Sequence, residues 1–438
     1  MKNTSLIKIL AATVTAFSIS AVAGFGVMSG VFGDSDVVYA SENTAAVTEY
    51  TSDSTGSTST SADEAEDAVA TSGLNMVSGG ALDTTDMFTS RDLEQEADLS
   101  EAQSYTITDG QTIEITSEGV YVITGTATNA SIVVNAGDED KVQIVLDGVS
   151  ITNGSTPCIY VKSADKVFVT TTSTDNTLAV TGTFTADGDT NTDAAIFSKD
   201  DLVLNGTGTL TIQSTENGVT SKDDLKITGG TINITSTSDG LEANESLAVA
   251  DGNITINTQK DAIHVENDED TSTGYIYICG GTMNITAGDD GVRATTVCQI
   301  DGGTLTIQSA EGIEATYVQI NGGTVTVNAT DDGINATNKS SDYAVTAEFT
   351  GGEITVNMGQ GDTDGIDSNG NLYVKGGTLN INAQSPFDFD GQSSYTGGTI
   401  IVNGTETNTI TNQMMGGGMR GGMDGGMPGG DMGGMPMR

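Results

Sequence analysis

From Tyr105 onward apolar and polar residues alternate in short runs: "YTITDGQTIEIT", "VYVITGTA", "SIVVNA" and "KVQIVLDGVSI". Alternation at period two, broken every few residues by Gly, Asp and Asn, predicts a succession of short strands. From Thr207 the pattern becomes a repeat. Thr207-Gly208-Thr209-Leu210 aligns with Gly229-Gly230-Thr231-Ile232, Asp251-Gly252-Asn253-Ile254 and Gly280-Gly281-Thr282-Met283, and the series continues at Gly302, Gly322, Gly351, Gly376 and Gly397. Successive starts lie 22, 22, 29, 22, 20, 29, 25 and 21 residues apart. A base length of 20–22 residues with insertions matches one coil of a right-handed parallel β-helix, with about three short strands per coil. The predicted fold class is therefore all-β, a solenoid. Leucine-rich repeats share the period, but no L-x-x-L-x-L pattern occurs, and the calcium nonapeptide G-G-x-G-x-D is absent.

Each unit supplies a strand of the kind "TLTI", an acidic turn leading into "GIxA", and a third strand such as "DLKIT" or "LYVK". The inward positions, among them Ile232, Ile234, Leu241, Ile254, Ile256, Ile263, Ile276, Leu305, Ile313, Val325 and Ile334, are expected to stack into apolar columns. Cys298 falls level with Ile276, so it and Cys158 read as core residues, while Cys279 precedes a glycine pair. Three cysteines make no disulfide framework.

The flanks differ in composition. Residues 1–40 carry Lys2 and Lys8 ahead of an apolar run and end in "VYA", the pattern of a signal peptide cleaved after Ala40. The alternative is an uncleaved anchor, since Ile9 to Phe32 is long enough to span a bilayer. Either way a secreted protein is expected, surface-associated if the anchor stays. Residues 41–98, polar and acidic, are expected to form a disordered linker before a β-helix over 99–410. The stretch 411–438 is rich in Met and Gly; its thioethers suit Cu(I), or it is simply a flexible tail. A monomer is expected.

Charge narrows the partners. Sixty acidic residues against 15 basic ones leave a formal net charge of −45, which repels nucleic acid and, apart from an N-terminal anchor, membranes. Register places many of these acids in columns. Asn217, Asp239, Asp261, Asp290, Glu311, Asp332 and Asp364 share one repeat position; Thr220, Glu242, His264, Arg293, Glu314, Asn335 and Asp367 share another. Neighbouring coils lie about 4.8 Å apart, where two carboxylates repel by roughly 3–4 kcal/mol at an effective dielectric of about 20. Calcium, with oxygens at about 2.3–2.6 Å, reaches two rungs at once; magnesium fits less well. The candidate Ca2+ ligands are Asp239, Asp261, Asp289, Asp290, Glu311, Asp331, Asp332, Asp362, Asp364 and Asp367, with Asp388 and Asp390 nearby. The competing reading is that these are ordinary Asp-Gly turns capping backbone amides.

Catalytic candidates are thin. His264 is the only histidine and sits among outward turn residues. A calcium-assisted lyase needs a base beside the metal, and Arg293, Lys260 and Lys375 are the cations considered. Without tryptophan, sugar-stacking platforms must come from tyrosines such as Tyr275, Tyr317 and Tyr373, with Arg293 as a polar contact.

"IVLDGVSITN" (144–153), "AAIFSKDDLVLNGTGTLTI" (194–212), "NGVTSKDDLKITGGTINI" (217–234) and "DGIDSNGNLYVKGGTLNINAQSPFDFDG" (364–391) resemble a secreted carbohydrate-binding domain family of anaerobic Gram-positive bacteria. The resemblance runs from about Leu99 to Gly404. It implies a right-handed parallel β-helix related in shape to calcium-dependent pectate lyases. It further implies calcium-linked binding of plant cell-wall polysaccharide, acidic pectic chains or cellulose, without cleavage as a family trait. A metal role passes by resemblance to Asp364 and Asp367 in "DGIDSNG", and less directly to Asp239, Asp261, Asp290, Glu311 and Asp332. Calcium would then bridge protein carboxylates to galacturonate. A pectate lyase and a purely structural adhesin rod are the alternatives.

Overall fold

The computed structural model describes residues 80–413 apart from 268–269 and 361–362. The signal segment, most of the linker, Asp362 and the Met-rich stretch from Met414 lie outside the described residues. Among the described residues there is no helix.

Each coil contributes three strands, and each strand pairs in parallel with its equivalents in the coils before and after. A first wall gathers Asp224–Ile227, Ser246–Val249, Tyr275–Ile278 and Val297–Ile300. A second gathers Thr209–Gln213, Thr231–Thr235, Asn253–Asn257 and Thr282–Thr286. The third, a 12-stranded ladder, includes Asn217–Ser221, Leu241–Ala243, Ile263–Val265, Asp290–Ala294, Glu311–Ala315, Ile334–Ala336 and Asp364–Ser368. The first two walls merge because the long strand Lys141–Asn153 pairs with Lys166–Thr171 along its first half and with Asp175–Val180 along its second. This is the parallel β-helix that the repeat predicts. A short antiparallel return, Thr399–Val402 against Thr405–Thr407, follows the last parallel coil.

Register follows from the period-two pattern, because a one-residue slip would turn every isoleucine outward. Ile232, Ile254, Met283, Leu305, Val325 and Ile354 stand on successive rungs of one column, each at most 2% exposed. Burying each such side chain stabilises the fold by about 1.5–3 kcal/mol. Cys158 and Cys298 lie in this core as expected. The glycine pairs turn the corners. At Gly323 φ is +80°, a conformation that side chains rarely adopt, and a Cβ on Gly322 would lie 2.2 Å from the Asp301 carbonyl oxygen of the preceding coil.

One boundary is corrected. Residues 80–98, assigned to the linker from composition, lie against the first wall. Met87 and Phe88 are buried with Ala248, Ala250, Tyr277 and Cys279. Asp92 is 0% exposed and lies 3.5 Å from Lys166 Nζ and 3.3 Å from Lys226 Nζ. Gln95 Nε2 donates to the Thr228 carbonyl, and its Oε1 accepts from the Gly206 amide. The segment has too few apolar residues to fold by itself. It is ordered by a complementary surface whose pieces are scattered over distant coils.

Candidate functional site

The outward face of the third wall carries two parallel columns of polar side chains. In the inner column four side chains are tied to the rung that follows. Asn217 Oδ1 accepts from the Asp239 amide (3.0 Å), Asp239 Oδ1 from Asp261 (3.2 Å), Asp261 Oδ1 from Asp290 (2.9 Å) and Asp332 Oδ1 from Asp364 (3.1 Å). One carboxylate oxygen thus caps the backbone and the other is left to face outward. The two readings of the acids, amide caps and cation ligands, are therefore compatible in the same residues. The glutamate at position 311 breaks the pattern: its Oε2 instead accepts from Asn335 Nδ2 at 3.2 Å.

The outer column is one continuous stripe along the wall. Strand register sets Glu114 beside Val133, then Tyr160, Phe197 and Thr220. It continues through Glu242, His264, Arg293, Glu314, Asn335, Asp367 and Asp388. Its chemistry changes along the rod, from apolar to ion-paired to acidic.

In the middle, cations occupy the stripe. His264 Nδ1 lies 3.1 Å from Asp239 Oδ2 and 3.8 Å from Asp261 Oδ2, and its Nε2 lies 2.9 Å from Glu266. Burial opposes charge on the imidazole, but the bond and fields of Asp239 and Asp261 outweigh it and raise the His264 pKa. Arg293 reaches Asp261, Glu314, Glu266 and Asp290 at 3.5–3.9 Å. Lys339, from a loop, meets Glu314 at 2.9 Å, and Lys222 meets Glu242 at 3.0 Å. The protein supplies its own counterions here.

Farther along, the stripe reads Asn335, Asp367, Asp388, with no cation among these positions. Burial, then the neighbouring Asp332 and Asp388 carboxylates, pushes Asp367 up to about 7. Burial is also the chief reason Asp332 is pushed up to about 6 and Glu311 to about 7. Asp290 is raised well above the usual carboxylate range by burial and by Asp261 and Glu311. Packed acids that hold protons near neutrality are what a cation of high charge would relieve. Asn335 is 8% exposed, and its Oδ1 has no hydrogen-bond partner in the protein. Because its Nδ2 donates back to Glu311, that carbonyl oxygen is turned to another side. A hard oxygen ligand set suits calcium.

Among the described residues, four acid groupings bring ligand atoms within 4.8 Å of one another: Asp239, Asp261 and His264; Asp261, Asp289 and Asp290; Asp290, Glu311 and Glu314; and Asp223, Asp224 and Glu245; Asp332, Asp364 and Asp367 are not drawn together that closely. The first is already bridged by the imidazole. The last lies off the third wall and was not anticipated from the sequence, because its acids flank first-wall strands rather than the repeat turns. Asp289 and Asp331 are exposed at the turn, while Asp332, Asp364 and Asp367 are half-buried beside each other.

The proposed sugar contacts do not converge. Tyr275 is part-buried under the 80–98 segment, its hydroxyl 4.0 Å from Met87 Sδ. It is no open platform. Tyr317 and Tyr373 stand on the first wall, where Tyr317 donates to Glu348 (2.7 Å) and Lys375 lies 5.5 Å above the Tyr373 ring. Arg293 belongs to the third wall. Alternation placed each of them outward, but only the order of walls decides which ones meet.

The family model described as carbohydrate-binding domain-containing protein matches residues 109–365 and 311–424. A carbohydrate-binding domain-containing protein of Acetivibrio thermocellus is 48% identical over 184 residues, which is 41% of this chain. The match spans 64% of that relative's length. A solved structure of a polysaccharide lyase-like protein from C. thermocellum, a gadolinium derivative, is 32% identical with a TM-score of 0.47, over 50% of this chain and 96% of that one.

Proposed function

The chain belongs to the carbohydrate-binding domain-containing family, and from that premise we propose that it is a secreted, non-catalytic protein that binds acidic plant cell-wall polysaccharide through calcium. The observation that carries this reading is the run Asn335, Asp367, Asp388 at the end of the third wall, where no described position of the stripe is a cation, with the buried, unpartnered Asn335 oxygen in it. Asp332, Asp364 and Asp367, with Asn335, would hold the ion. Calcium there would supply positive charge that a uronate carboxylate can share, so that an acidic protein and an acidic glycan attract instead of repelling.

A pectate lyase is the competing reading, and it needs a basic group able to lose its proton. Burial opposes the charge on Arg293, but the surrounding Asp261, Glu266, Glu314 and Asp290 carboxylates outweigh it and raise its pKa. Lys375 sits 2.8 Å from Glu348 on a different wall, and Lys222 is paired with Glu242. Arg293, Lys375 and Lys222 act as structural partners, while Lys260, the remaining candidate, is exposed at the turn before Asp261. Retention on insoluble polygalacturonate with calcium, and release by chelator, tests the binding reading; no retention under calcium would sink it. Release of unsaturated products, followed by absorbance on the same material, would replace it with the lyase.

A further inference from the structure

The apolar end of the stripe has a cleft of its own. Val133 and Tyr160 point outward from the third wall and are nonetheless 8% and 6% exposed, clustered with Ala194 and Phe197 outside the main core. Residues 181–193, an insertion between the second and third walls, account for their cover. The Thr185 amide donates to the Ser155 carbonyl at 2.9 Å. Asp187 Oδ2 receives both Lys162 Nζ (2.8 Å) and the Tyr160 hydroxyl (3.2 Å), and Asp187 exchanges two backbone bonds with Thr190. Between this loop and the wall lies a cleft of about 570 Å³, within the roughly 300–1,000 Å³ range of small-molecule sites.

Resting on the carbohydrate-binding reading above, we propose that this cleft is a second, metal-independent subsite that takes a neutral pyranose unit of a glycan. Its apolar lining is Val133, Pro157, Ala186 and Tyr160, whose ring has Lys162 Nζ 4.9 Å from its centroid. Hydroxyls and a carboxylate share the lining: Ser131, Thr185 and Glu114. A pyranose has the same division, with an apolar C–H face and a girdle of hydroxyls. A uronate does not fit, because Lys162, the ammonium that lines the cleft, is already paired with Asp187, and Glu114 adds a further negative charge. Phosphorylated ligands are disfavoured for the same reason, and a purely apolar ligand would strand these polar groups without partners. Glu114 and Asp187 are the acids that line the cleft, and Asp187 is already paired with Lys162, so binding here is expected to be independent of calcium.

Isothermal titration of the full chain with cellohexaose, xylohexaose and mannohexaose, all in excess chelator, tests the subsite. At least one is expected to bind. Tyr160→Ala, which removes the ring, and Thr185→Trp, which fills the cleft from an exposed position, are each expected to weaken it about tenfold or more, a loss of about 1.4 kcal/mol. Tyr160→Phe keeps the ring and is expected to stay within about twofold. Thr185→Trp does not disturb the buried apolar lining, so its effect separates occlusion from misfolding. Unchanged affinity in both disruptive variants, or binding by none of the three sugars, overturns the subsite. If polygalacturonate is still retained under calcium in that case, the acidic-end reading stands; if that retention is lost as well, carbohydrate binding itself falls.

Discussion

The two ends of the third wall share one backbone ladder and one register, yet they present opposite surfaces. At the N-terminal end the stripe is Val133, Tyr160 and Phe197, apolar and roofed by a loop. At the C-terminal end the same position holds Asn335, Asp367 and Asp388. Between them His264 and Arg293 neutralise the acids from within. The solenoid fixes where side chains point and leaves their chemistry free, so one wall can host a dry end and an ionic end. What separates them is whether the protein provides the countercharge or leaves it to the medium.

The largest effect is expected from removing charge at the acidic end alone. Asp332→Asn with Asp367→Asn should weaken calcium binding beyond the roughly 10–100-fold that follows loss of a group merely supporting a ligand. Neutral-sugar binding at the other end should not change. Calorimetry on the double variant checks both. Arg293→Ala tests the middle. It strips the countercharge from Asp261, Asp290 and Glu314, making that region resemble the acidic end. In chelator it should cost about 2 kcal/mol, short of the roughly 3–5 kcal/mol for breaking a fully buried pair, because Arg293 is only half-buried. Millimolar calcium should restore much of the loss in a thermal melt. A loss that calcium leaves untouched would mean the middle acids cannot recruit an ion.

The smallest effect separates cap from ligand. Asn217 already performs the amide cap with a neutral side chain, so Asp332→Asn should keep the bond to the Asp364 amide. Asp332→Ala loses it and should be less stable than Asp332→Asn by about 1 kcal/mol in chelator, the net contribution of one hydrogen bond. Equal melting of the two variants would remove the cap from the account.

The coils and columns were legible in the chain because period-two alternation and paired glycines leave one workable register. Ile232 over Ile254 and Asp290 beside Glu311 follow from counting. The cations at 264 and 293 were visible in the column too, but Lys339, Lys222 and Glu266 come from positions that no repeat marks. The 80–98 segment was read as linker because its composition is polar, and its order depends on Lys166, Lys226 and Tyr277, far away in sequence. The cover over Tyr275 was hidden for the same reason. Local pattern reveals direction; it does not reveal what a distant segment will lay on top.

In the proposed function, calcium at the acidic end is shared between protein and uronate. Linkage makes this measurable, since two ligands that stabilise each other must do so by the same factor in both directions. Titrating calcium with and without trigalacturonate, and trigalacturonate with and without calcium, should give one common enhancement, lost in the Asp332→Asn, Asp367→Asn variant. Calcium and trigalacturonate that bind with no effect on each other would contradict the bridge.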